Sequence, residues 1–422
     1  MANRVKERSF IGNIPVILAQ KMMWESLRQF FWARWAKFDV PGTRITVSEK
    51  NQPRAISSPI VMHQELGKRQ GDFLQVPMLR NLKGLPTIGK HQLSGHEEEQ
   101  FINHARVAID IVRHAVGPQD GIMMTQTTKD YDLINAARPQ LSRHYAEVSE
   151  LLGVSYALYY GYSYNVLSST RFVGNSQHIA AYSHPNVFVA GQGRISGYPT
   201  GHAGDTYEVA IGTAISAMKD VDVFSCAFLR GLKADPAINM IKPLIMSDGN
   251  PMWLIAASPF QIASLEEDEE FKTVMAAAMA QSYAKDNPIL TGSQYIYGSF
   301  AIFPAARAVF PVSVVSTVPV WGPSTIADMT SFNDYSAYDT FGAILLGENA
   351  IMKATGMPLE FRKREDDTDY GEIVGVAYRT VEGYSRADFW SEDDYLTSAT
   401  RGANLINTGS AVLVTKAFKP GI

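Results

Sequence analysis

The sequence predicts an α+β fold in which a packed core carries extended segments. Three observations indicate this: a capped helical pattern at 127–153, two alternating segments at 71–82 and 103–116, and the order apolar strand, acidic helix, apolar strand at 253–307. None of these segments contains a catalytic residue pattern. The sequence therefore directs attention to architecture rather than to a reaction centre.

The composition is that of a folded protein without a surface built to bind polyanions. The chain has 422 residues, of which 46% are hydrophobic and 19% charged, and this supplies a large buried core. Lys and Arg number 38 against 42 Asp and Glu, so any nucleic-acid contact must be local. The single cysteine, Cys226, excludes an intrachain disulfide and suits folding in a reducing cytoplasm.

The apolar run at 14–19 is not expected to be a signal peptide. It is short, it contains Pro15, and the charged residues Lys21, Glu25 and Arg28 follow it. No apolar run approaches the ~20 residues that span a bilayer. We expect a soluble protein, alone or assembled.

Residues 1–60 are predicted to form an arm rather than a domain. Helical spacing places four large apolar side chains on one stripe, namely Trp24, Leu27, Phe31 and Trp35. This stripe either packs on the chain's own core or docks on a neighbouring subunit. The first 37 residues hold seven Lys or Arg against two Glu, so the arm is also locally basic. That charge is either a solvated face or a nucleic-acid contact.

The segments 71–82 and 103–116 predict a β-hairpin. The loop at 83–100 contains three Gly and one Pro, which suit an exposed and mobile connection. Twelve residues at ~3.4 Å each would give an arm of about 40 Å, longer than a small domain needs for its own core. We therefore expect a projecting hairpin that contacts a partner.

The rest of the chain is predicted to alternate helices and strands. The helix at 127–153 has a cap candidate in Thr128 and a stop in Gly153, and Pro139 predicts a kink or break within it. Loops and short strands are expected at 160–207. Further helices are predicted at 208–232, 266–280 and 341–355, and further strands at 373–380 and 411–418.

Patterns for small-ligand chemistry are weak throughout. Gly191, Gly193 and Gly197 miss the spacing and flanking elements of a dinucleotide site, so a surface loop is favoured. His91 and His96 stand beside three glutamates in a loop that gives zinc no fixed ligands. Other incomplete patterns are the calcium-like Asp367, Asp369 and Gly371, the esterase-like Gly161 and Ser163, and Cys226. We expect no catalytic residue, no metal site and no cofactor, with Cys226 packed as a small hydrophobe.

Several short motifs follow one another between residues 68 and 389. In chain order they are Lys68 with Gly71-Asp72; Ser258-Pro259 with Gln261 and Leu265; Asn287-Pro288 with Thr291-Gly292 and Tyr297-Gly298; Leu346-Gly347 with Ala350; Asp369-Tyr370-Gly371; and Glu382-Gly383. This ordered set resembles the major capsid protein family of podophages that carry a virion RNA polymerase, the Enquatrovirus type. The resemblance covers most of the chain.

The resemblance implies the Hong Kong 97-type, or Johnson, capsid fold. Its parts would be an N-terminal arm at 1–60, an extended loop at 61–117, a peripheral domain with the spine helix at 118–165, an axial domain with an insertion at 166–372, and return strands of the peripheral domain at 373–422. The aromatic arm and the long hairpin suit this fold, because both would be buried against adjacent subunits.

The resemblance also implies a function. The chain would be a structural protein, not an enzyme, that self-assembles into hexamers and pentamers of an icosahedral shell around the double-stranded DNA of a tailed bacteriophage. The host cytoplasm would be the place of assembly. Expected partners besides other copies are a separate scaffolding protein, a portal, packaged DNA on the inner face and a decoration protein, with no membrane. The predicted assembly interface comprises Trp24, Phe31, Trp35, Leu82, Lys83, Leu85, Ile88 and Lys90.

Two other functions remain open at this point. One is an encapsulin-like compartment shell, which would need an inner groove for cargo. The other is an α+β enzyme whose site residues are scattered along the sequence, and a compact monomer with a small-molecule pocket would favour it. Lys83 and Lys90 lie where some shells form covalent cross-links, but we predict none here.

Overall fold

The structure of the chain is a computed structural model. The described residues are 36–39, 58–63, 73–79, 102–116, 133–158, 184–195, 206–245, 251–279, 295–304, 312–315, 318–321, 339–363, 375–390 and 405–417.

The described residues form five α-helices, one 3-10 helix and nineteen strands. The helices are α1 (Leu133–Leu158), α2 (Thr206–Ser216), α3 (Cys226–Ala234), the 3-10 helix Pro236–Met240, α4 (Pro259–Glu267) and α5 (Glu269–Met279). The strands are β1 (Ala36–Asp39), β2 (Ile60–His63), β3 (Phe73–Leu79), β4 (Ile102–Ala108), β5 (Asp110–Val116), β6 (Val187–Val189), β7 (Gly193–Arg194), β8 (Leu244–Ile245), β9 (Pro251–Ala257), β10 (Tyr295–Tyr297), β11 (Phe300–Pro304), β12 (Val312–Val315), β13 (Val318–Trp321), β14 (Thr340–Leu346), β15 (Ile351–Lys363), β16 (Val376–Arg386), β17 (Asp388–Trp390), β18 (Leu405–Asn407) and β19 (Ser410–Lys416).

The larger sheet has eight strands in the order β10-β11-β9-β14-β19-β6-β7, with β8 paired to β9. Alternate side chains of its strands enter two different apolar clusters. Leu254 and Val412 join one cluster with α2, whereas Ile255 and Leu413 join the other with α3, α4 and α5. Because both faces of the sheet are buried, its strands are apolar at nearly every position.

The smaller sheet has five strands in the order β1-β2-β15-β16-β5. Helix α1 packs on it through Ala137 and Leu141, which contact Phe361 and Tyr378 in a separate apolar cluster. The strand β1 comes from the predicted arm and pairs in parallel with β2. This part of the arm therefore belongs to the chain's own sheet, while the aromatic stripe at Trp24, Phe31 and Trp35 lies outside the described residues.

The predicted hairpin is confirmed in its stem. Strands β3 and β4 pair antiparallel over seven positions, from Phe73 opposite Ala108 to Leu79 opposite Ile102. The predicted return strand at 103–116 is divided, because its second half, β5, pairs with β16 in the five-stranded sheet. The loop at 83–100 lies outside the described residues.

The order strand, acidic helix, strand at 253–307 is confirmed. Strands β9 and β11 lie side by side and parallel, from Trp253 opposite Phe300 to Ala257 opposite Pro304. Helices α4 and α5 lie between them in the chain, and α5 begins with Glu269 and Glu270. Carboxylates in the first turn interact favourably with the positive end of the helix dipole.

The predicted helix at 341–355 is wrong. Residues Thr340–Leu346 form β14, where all seven residues are buried, and the chain then turns into β15 at Ile351. A short and continuous apolar run has the same appearance in a buried helix and in a strand that is buried on both faces. The strands predicted at 373–380 and 411–418 are confirmed as parts of β16 and β19.

The predicted helix at 208–232 is also wrong as a single element. It is divided into α2 and α3 by a turn in which the Asp222 carboxylate accepts a hydrogen bond from the Lys219 backbone, at 2.7 Å. Val223 then forms a bridge to β19, and Ser225 caps α3. In α1, the predicted stop at Gly153 is likewise wrong, because the helix continues to Leu158, and it passes through Pro139 without a break.

The sheets group the strands differently from the predicted domain boundaries. Strand β15 falls in the predicted axial segment 166–372, but it pairs along β16 of the return segment. Strand β19 falls in the return segment 373–422, but it lies between β14 and β6 of the larger sheet. The domain boundaries themselves stay a prediction.

Candidate functional site

A tight turn, Gly347–Ala350, joins β14 of the larger sheet to β15 of the smaller one. Its backbone hydrogen-bonds to three other segments of the chain: Gly347 N donates to Gly409 O at 2.7 Å, Glu348 N to Lys242 O at 2.9 Å, and Asn349 N to Ser58 O at 3.0 Å. Asn349 adopts a left-handed backbone with φ 54°, a conformation that Asn tolerates better than most residues. We call this turn and its backbone partners the sheet junction.

Two glycines allow the close approach at the sheet junction. A Cβ atom on Gly347 would lie 2.2 Å from the Lys242 carbonyl oxygen. A Cβ on Gly409 would lie 2.7 Å from the Ala350 Cα. The colliding atoms belong to the backbone and have no room to move, so only glycine fits at either position.

A buried polar network extends the junction towards the C-terminal strands. Arg386 on β16 forms a salt bridge with Asp388 on β17, and both side chains are fully buried. The second Asp388 oxygen accepts from Asn407 Nδ2, and Asn407 Oδ1 accepts from the backbone of Gly409 and Ser410. The network therefore shapes the turn between β18 and β19 that contacts Gly347.

His184, three residues before β6, completes this network. Its Nδ1 accepts from the Asn186 backbone N–H at 3.0 Å, so the neutral ring carries its proton on Nε2, which lies 3.0 Å from Ser410 Oγ. Burial, reinforced by the positive charge of Arg386, holds the pKa of His184 well below its usual value. His184 is therefore neutral in the folded protein at physiological pH.

A second buried network fixes helix α1 to the smaller sheet. Lys353 on β15 pairs with Glu382 on β16 at 2.9 Å, and the Tyr145 hydroxyl of α1 donates to the same carboxylate oxygen at 2.9 Å. Burial is the largest single influence on the pKa of Lys353 and lowers it, but the charges and hydrogen bonds of Glu382 and Tyr145 together raise it by more. The pKa is therefore raised and the ammonium stays charged. Burial and Glu382 raise the pKa of Tyr145, which keeps its proton.

Two histidines stack beside this contact. The His114 ring on β5 lies 4.1 Å from the His144 ring on α1, centroid to centroid, with 19° between the planes. His144 Nδ1 is 3.1 Å from the Tyr378 hydroxyl on β16. Helix α1 is thus attached to the sheet by specific polar and ring contacts as well as by its apolar cluster.

A capping box attaches α4 to the larger sheet. Ser258 Oγ accepts from the Gln261 backbone and Gln261 Oε1 accepts from the Ser258 backbone, with Pro259 at the first helical position. Gln261 Nε2 also donates to Phe341 O at 3.1 Å and to Thr415 Oγ1 at 2.8 Å. One side chain therefore joins the helix to β14 and β19.

The residues that were weighed as small-ligand candidates have structural roles where the structure describes them. Gly191 lies in the exposed turn between β6 and β7 and Gly193 begins β7; they adopt φ 75° and 73°, as predicted for a surface loop. Cys226 is buried in the apolar cluster beneath α3, and burial raises its pKa to about 11, so the thiol is not activated. Gly197, Gly161, Ser163, His91, His96 and residues 367–371 lie outside the described residues.

Within the described ranges, no cluster of three or more His, Cys, Asp and Glu side chains is arranged to hold a metal ion. In the same part of the chain, no helix combines the length and the apolar character needed to cross a membrane.

Comparison with known proteins decides the family. The model of the family described as phage capsid protein matches residues 13–395, which is most of the chain. The chain belongs to the phage capsid protein family. No individual curated protein sequence matches it.

Solved capsid structures share the fold. A chain of the Ralstonia phage GP4 capsid is 18% identical with a TM-score of 0.59, and the match covers 91% of this chain and 99% of that one. A chain of the cyanophage Pam1 capsid is 16% identical with a TM-score of 0.54, covering 87% and 94%. The capsid chain of Helicobacter pylori bacteriophage KHP30 is 13% identical with a TM-score of 0.53, covering 85% and 88%.

The capsid protein therefore has the Hong Kong 97-type α+β fold that the resemblance implied. Its function is to form the shell of a bacteriophage capsid. The narrower Enquatrovirus type stays a prediction.

Several of the motif residues that carried the resemblance have identifiable structural roles in the capsid protein. Ser258, Pro259 and Gln261 form the capping box, Gly347 and Ala350 form the sheet junction, and Glu382 holds α1. Gly298, with φ 59°, makes the turn between β10 and β11. The motif residues that the structure describes are thus joints between elements, whereas those at 68–72, 287–292 and 369–371 lie outside the described residues.

The predicted assembly-interface residues are not tested. Trp24, Phe31, Trp35, Leu82, Lys83, Leu85, Ile88 and Lys90 all lie outside the described residues. Sequence reasoning missed His184, Arg386, Asp388 and Asn407. The one local signal for them is the turn composition Asn407-Thr-Gly-Ser410 before an apolar strand.

Proposed function

We propose that this capsid protein is the major shell subunit of a tailed bacteriophage, and that it assembles into hexamers and pentamers of an icosahedral shell around double-stranded DNA. The observation that supports this most strongly is the family match over residues 13–395, combined with a capsid fold over nearly the whole chain. An accessory protein would be expected to match a capsid family over a smaller part.

The arm and hairpin are the proposed contacts between neighbouring subunits. Trp24, Phe31 and Trp35 would pack on an adjacent copy, and so would the hairpin tip with Leu82, Lys83, Leu85, Ile88 and Lys90. The stem β3–β4 supports this, because it pairs with itself rather than within either large sheet. Many modest contacts of this kind would give a very stable particle.

Other partners follow from the same proposal. A separate scaffolding protein would guide assembly in the host cytoplasm, and a portal and a decoration protein would bind the shell. The basic arm would contact packaged DNA on the inner face. The net charge of −4 suits a wall in which like-charged subunits must lie side by side. The protein would act through assembly and not as an enzyme.

The test is to express the chain alone and with a scaffolding candidate, to measure its size by sedimentation, and to image the fast fraction by negative-stain microscopy. Shells, tubes or rings of five or six subunits are the expected result. A monodisperse particle near 47 kDa at every protein concentration, with and without scaffolding, would overturn the proposal. Charge reversal in the arm should shorten the packaged DNA or weaken its retention.

A further inference from the structure

An open cleft lies at one side of the larger sheet, where the β6–β7 turn meets α3. Its volume is about 350 Å³, and apolar side chains that include Phe188, Val223 and Phe228 line it. Val221 stands at its rim with 77% of its surface exposed. A single exposed apolar side chain is ordinary, but Val221 adjoins an apolar lining, and contiguous apolar surface is typical of interaction sites.

The polar side chains of the cleft already cap local backbone. Asp222 accepts from Lys219 N, Ser225 from Phe228 N, and Asp235 from Ala237 N. The cleft therefore offers an occupant apolar contact and two negative charges, rather than the converging polar groups of a small-molecule pocket. Apolar side chains accompanied by a cation would suit it.

A patch with those properties lies elsewhere on the same chain. Met240, at the end of the 3-10 helix, is 55% exposed, and Ile245 on β8 is 54% exposed. Lys242 lies between them in the sequence. The patch adjoins β9 through β8, and three strand spacings, about 14 Å at ~4.8 Å each, separate β9 from β6.

We propose that the cleft of one copy receives Met240 and Ile245 of the next copy, with Lys242 facing the carboxylates of Asp222 and Asp235. The cleft and the patch are different parts of the surface, so the contact is heterologous. A heterologous contact closes a ring when the rotation between neighbouring copies divides a full turn, as it does in a hexamer or pentamer. This inference rests on the proposed function, since it names side chains that hold neighbouring copies together within a hexamer or pentamer.

Disulfide trapping in assembled particles tests the contact. Gly231 lies in α3 at the cleft, and a Cβ placed there meets open space, so Gly231→Cys places a thiol in the cleft. The only native cysteine, Cys226, is buried. Oxidised particles of the double variant Gly231→Cys with Met240→Cys should give a covalent ladder of up to five or six subunits on non-reducing denaturing gels. Particles of either single variant should stay at monomer mass, and mixed particles of the two should give dimers only.

Substitutions that fill the cleft give an independent test of the proposed contact between copies. Gly231→Trp should lower the yield of rings and particles at least tenfold, whereas the matched variant Gly231→Ala should assemble like the parent chain. Met240→Asp should lower the yield in the same way, and the control Val274→Asp, at an exposed position of α5, should not. Circular dichroism of the soluble chain would verify that each variant is folded.

The outcomes separate this contact from the proposed function. Particles that show no cross-link, together with normal assembly of Gly231→Trp and Met240→Asp, would overturn the contact and leave the shell function standing. A parent chain that forms no oligomer under any condition would count against the shell function and the contact together.

Discussion

The two large sheets of this capsid protein are stabilised in different ways. The eight-stranded sheet is buried on both faces, and its strands contribute alternate side chains to two apolar clusters. The five-stranded sheet is covered by α1, and it buries the Lys353–Glu382 pair, with the buried Arg386–Asp388 pair where it ends. The first sheet is a packed apolar layer, whereas the second adds buried ion pairs to its apolar contacts.

This difference has a physical consequence. Apolar burial is non-directional and tolerates exchanges of similar volume. A buried ion pair requires one geometry, and losing either partner leaves a charge without compensation. We therefore expect the smaller sheet to set the position of α1 narrowly, and the larger sheet to supply most of the apolar stability.

Breaking the Lys353–Glu382 pair should have the largest effect. Glu382→Ala leaves a buried ammonium and removes the acceptor of Tyr145, so the free energy of unfolding should fall by about 3–5 kcal/mol. Urea unfolding of the unassembled chain measures this. The double variant Lys353→Met with Glu382→Leu should recover most of the loss.

The matched control is the exposed pair Lys272–Glu267, at 3.3 Å. Lys272→Ala should change the free energy of unfolding by less than about 1 kcal/mol, because exposed pairs are solvated and screened. Equal losses in the two variants would show that the buried pair has no special role, and the contrast between the sheets would then be lost.

A cavity in the larger sheet should have the next largest effect. Leu413 of β19 is fully buried opposite Ala343 of β14, and Leu413→Ala should cost about 2–5 kcal/mol from lost contacts and the cavity left behind. Leu413→Met should cost less than about 1.5 kcal/mol, because it nearly conserves volume. If Leu413→Met is as damaging as Leu413→Ala, the larger sheet is not the tolerant layer described above.

The polar network at the sheet junction should make stability depend on pH. Because the pKa of His184 is lowered on folding, the unfolded chain binds a proton that the folded chain does not. The contribution of His184 is therefore full above its unfolded pKa of about 6.5, and it is lost as the pH falls below that value. Between pH 7 and pH 5.5 the loss should be about 1 kcal/mol.

Comparing His184→Asn with the parent chain isolates this contribution from the other histidines. Asn can still accept from the Asn186 backbone, so the variant should fold, and its unfolding midpoint should fall less between pH 7 and pH 5.5. Identical pH profiles for the two proteins would show that His184 does not titrate on unfolding.

Local sequence patterns were sufficient to predict some elements of this fold. The stem of the hairpin, the acidic helix between β9 and β11, and the last strand β19 each have a periodicity or composition that one conformation explains. The order of the short motifs was sufficient to predict the capsid fold. The helix predicted at 341–355 failed because both faces of β14 are buried, and this depends on α2, α3 and α4, which are remote in the sequence.

The polar contacts that join these elements could not be predicted from the sequence, because they also depend on residues that are remote along the chain. His184 meets Ser410 across 226 residues, and Tyr145 meets Glu382 across 237. Gly347 could be identified as part of a motif, but the collision that requires glycine involves Lys242 in another segment. Polar groups of this kind look like ordinary surface residues until the fold brings their partners together.

Removing the N-terminal cap of α4 should have the smallest effect on the free energy of unfolding. This change tests a polar contact within the mainly apolar packing of the larger sheet. Ser258→Ala removes the oxygen that accepts from the Gln261 backbone, which should cost about 1 kcal/mol, while Ser258→Asp should restore most of it. Gln261 also donates to Phe341 and Thr415, so its loss should cost more than loss of the cap alone. If Gln261→Ala is no worse than Ser258→Ala in urea unfolding, the contacts of Gln261 with the sheet contribute little, and α4 is held by apolar packing alone.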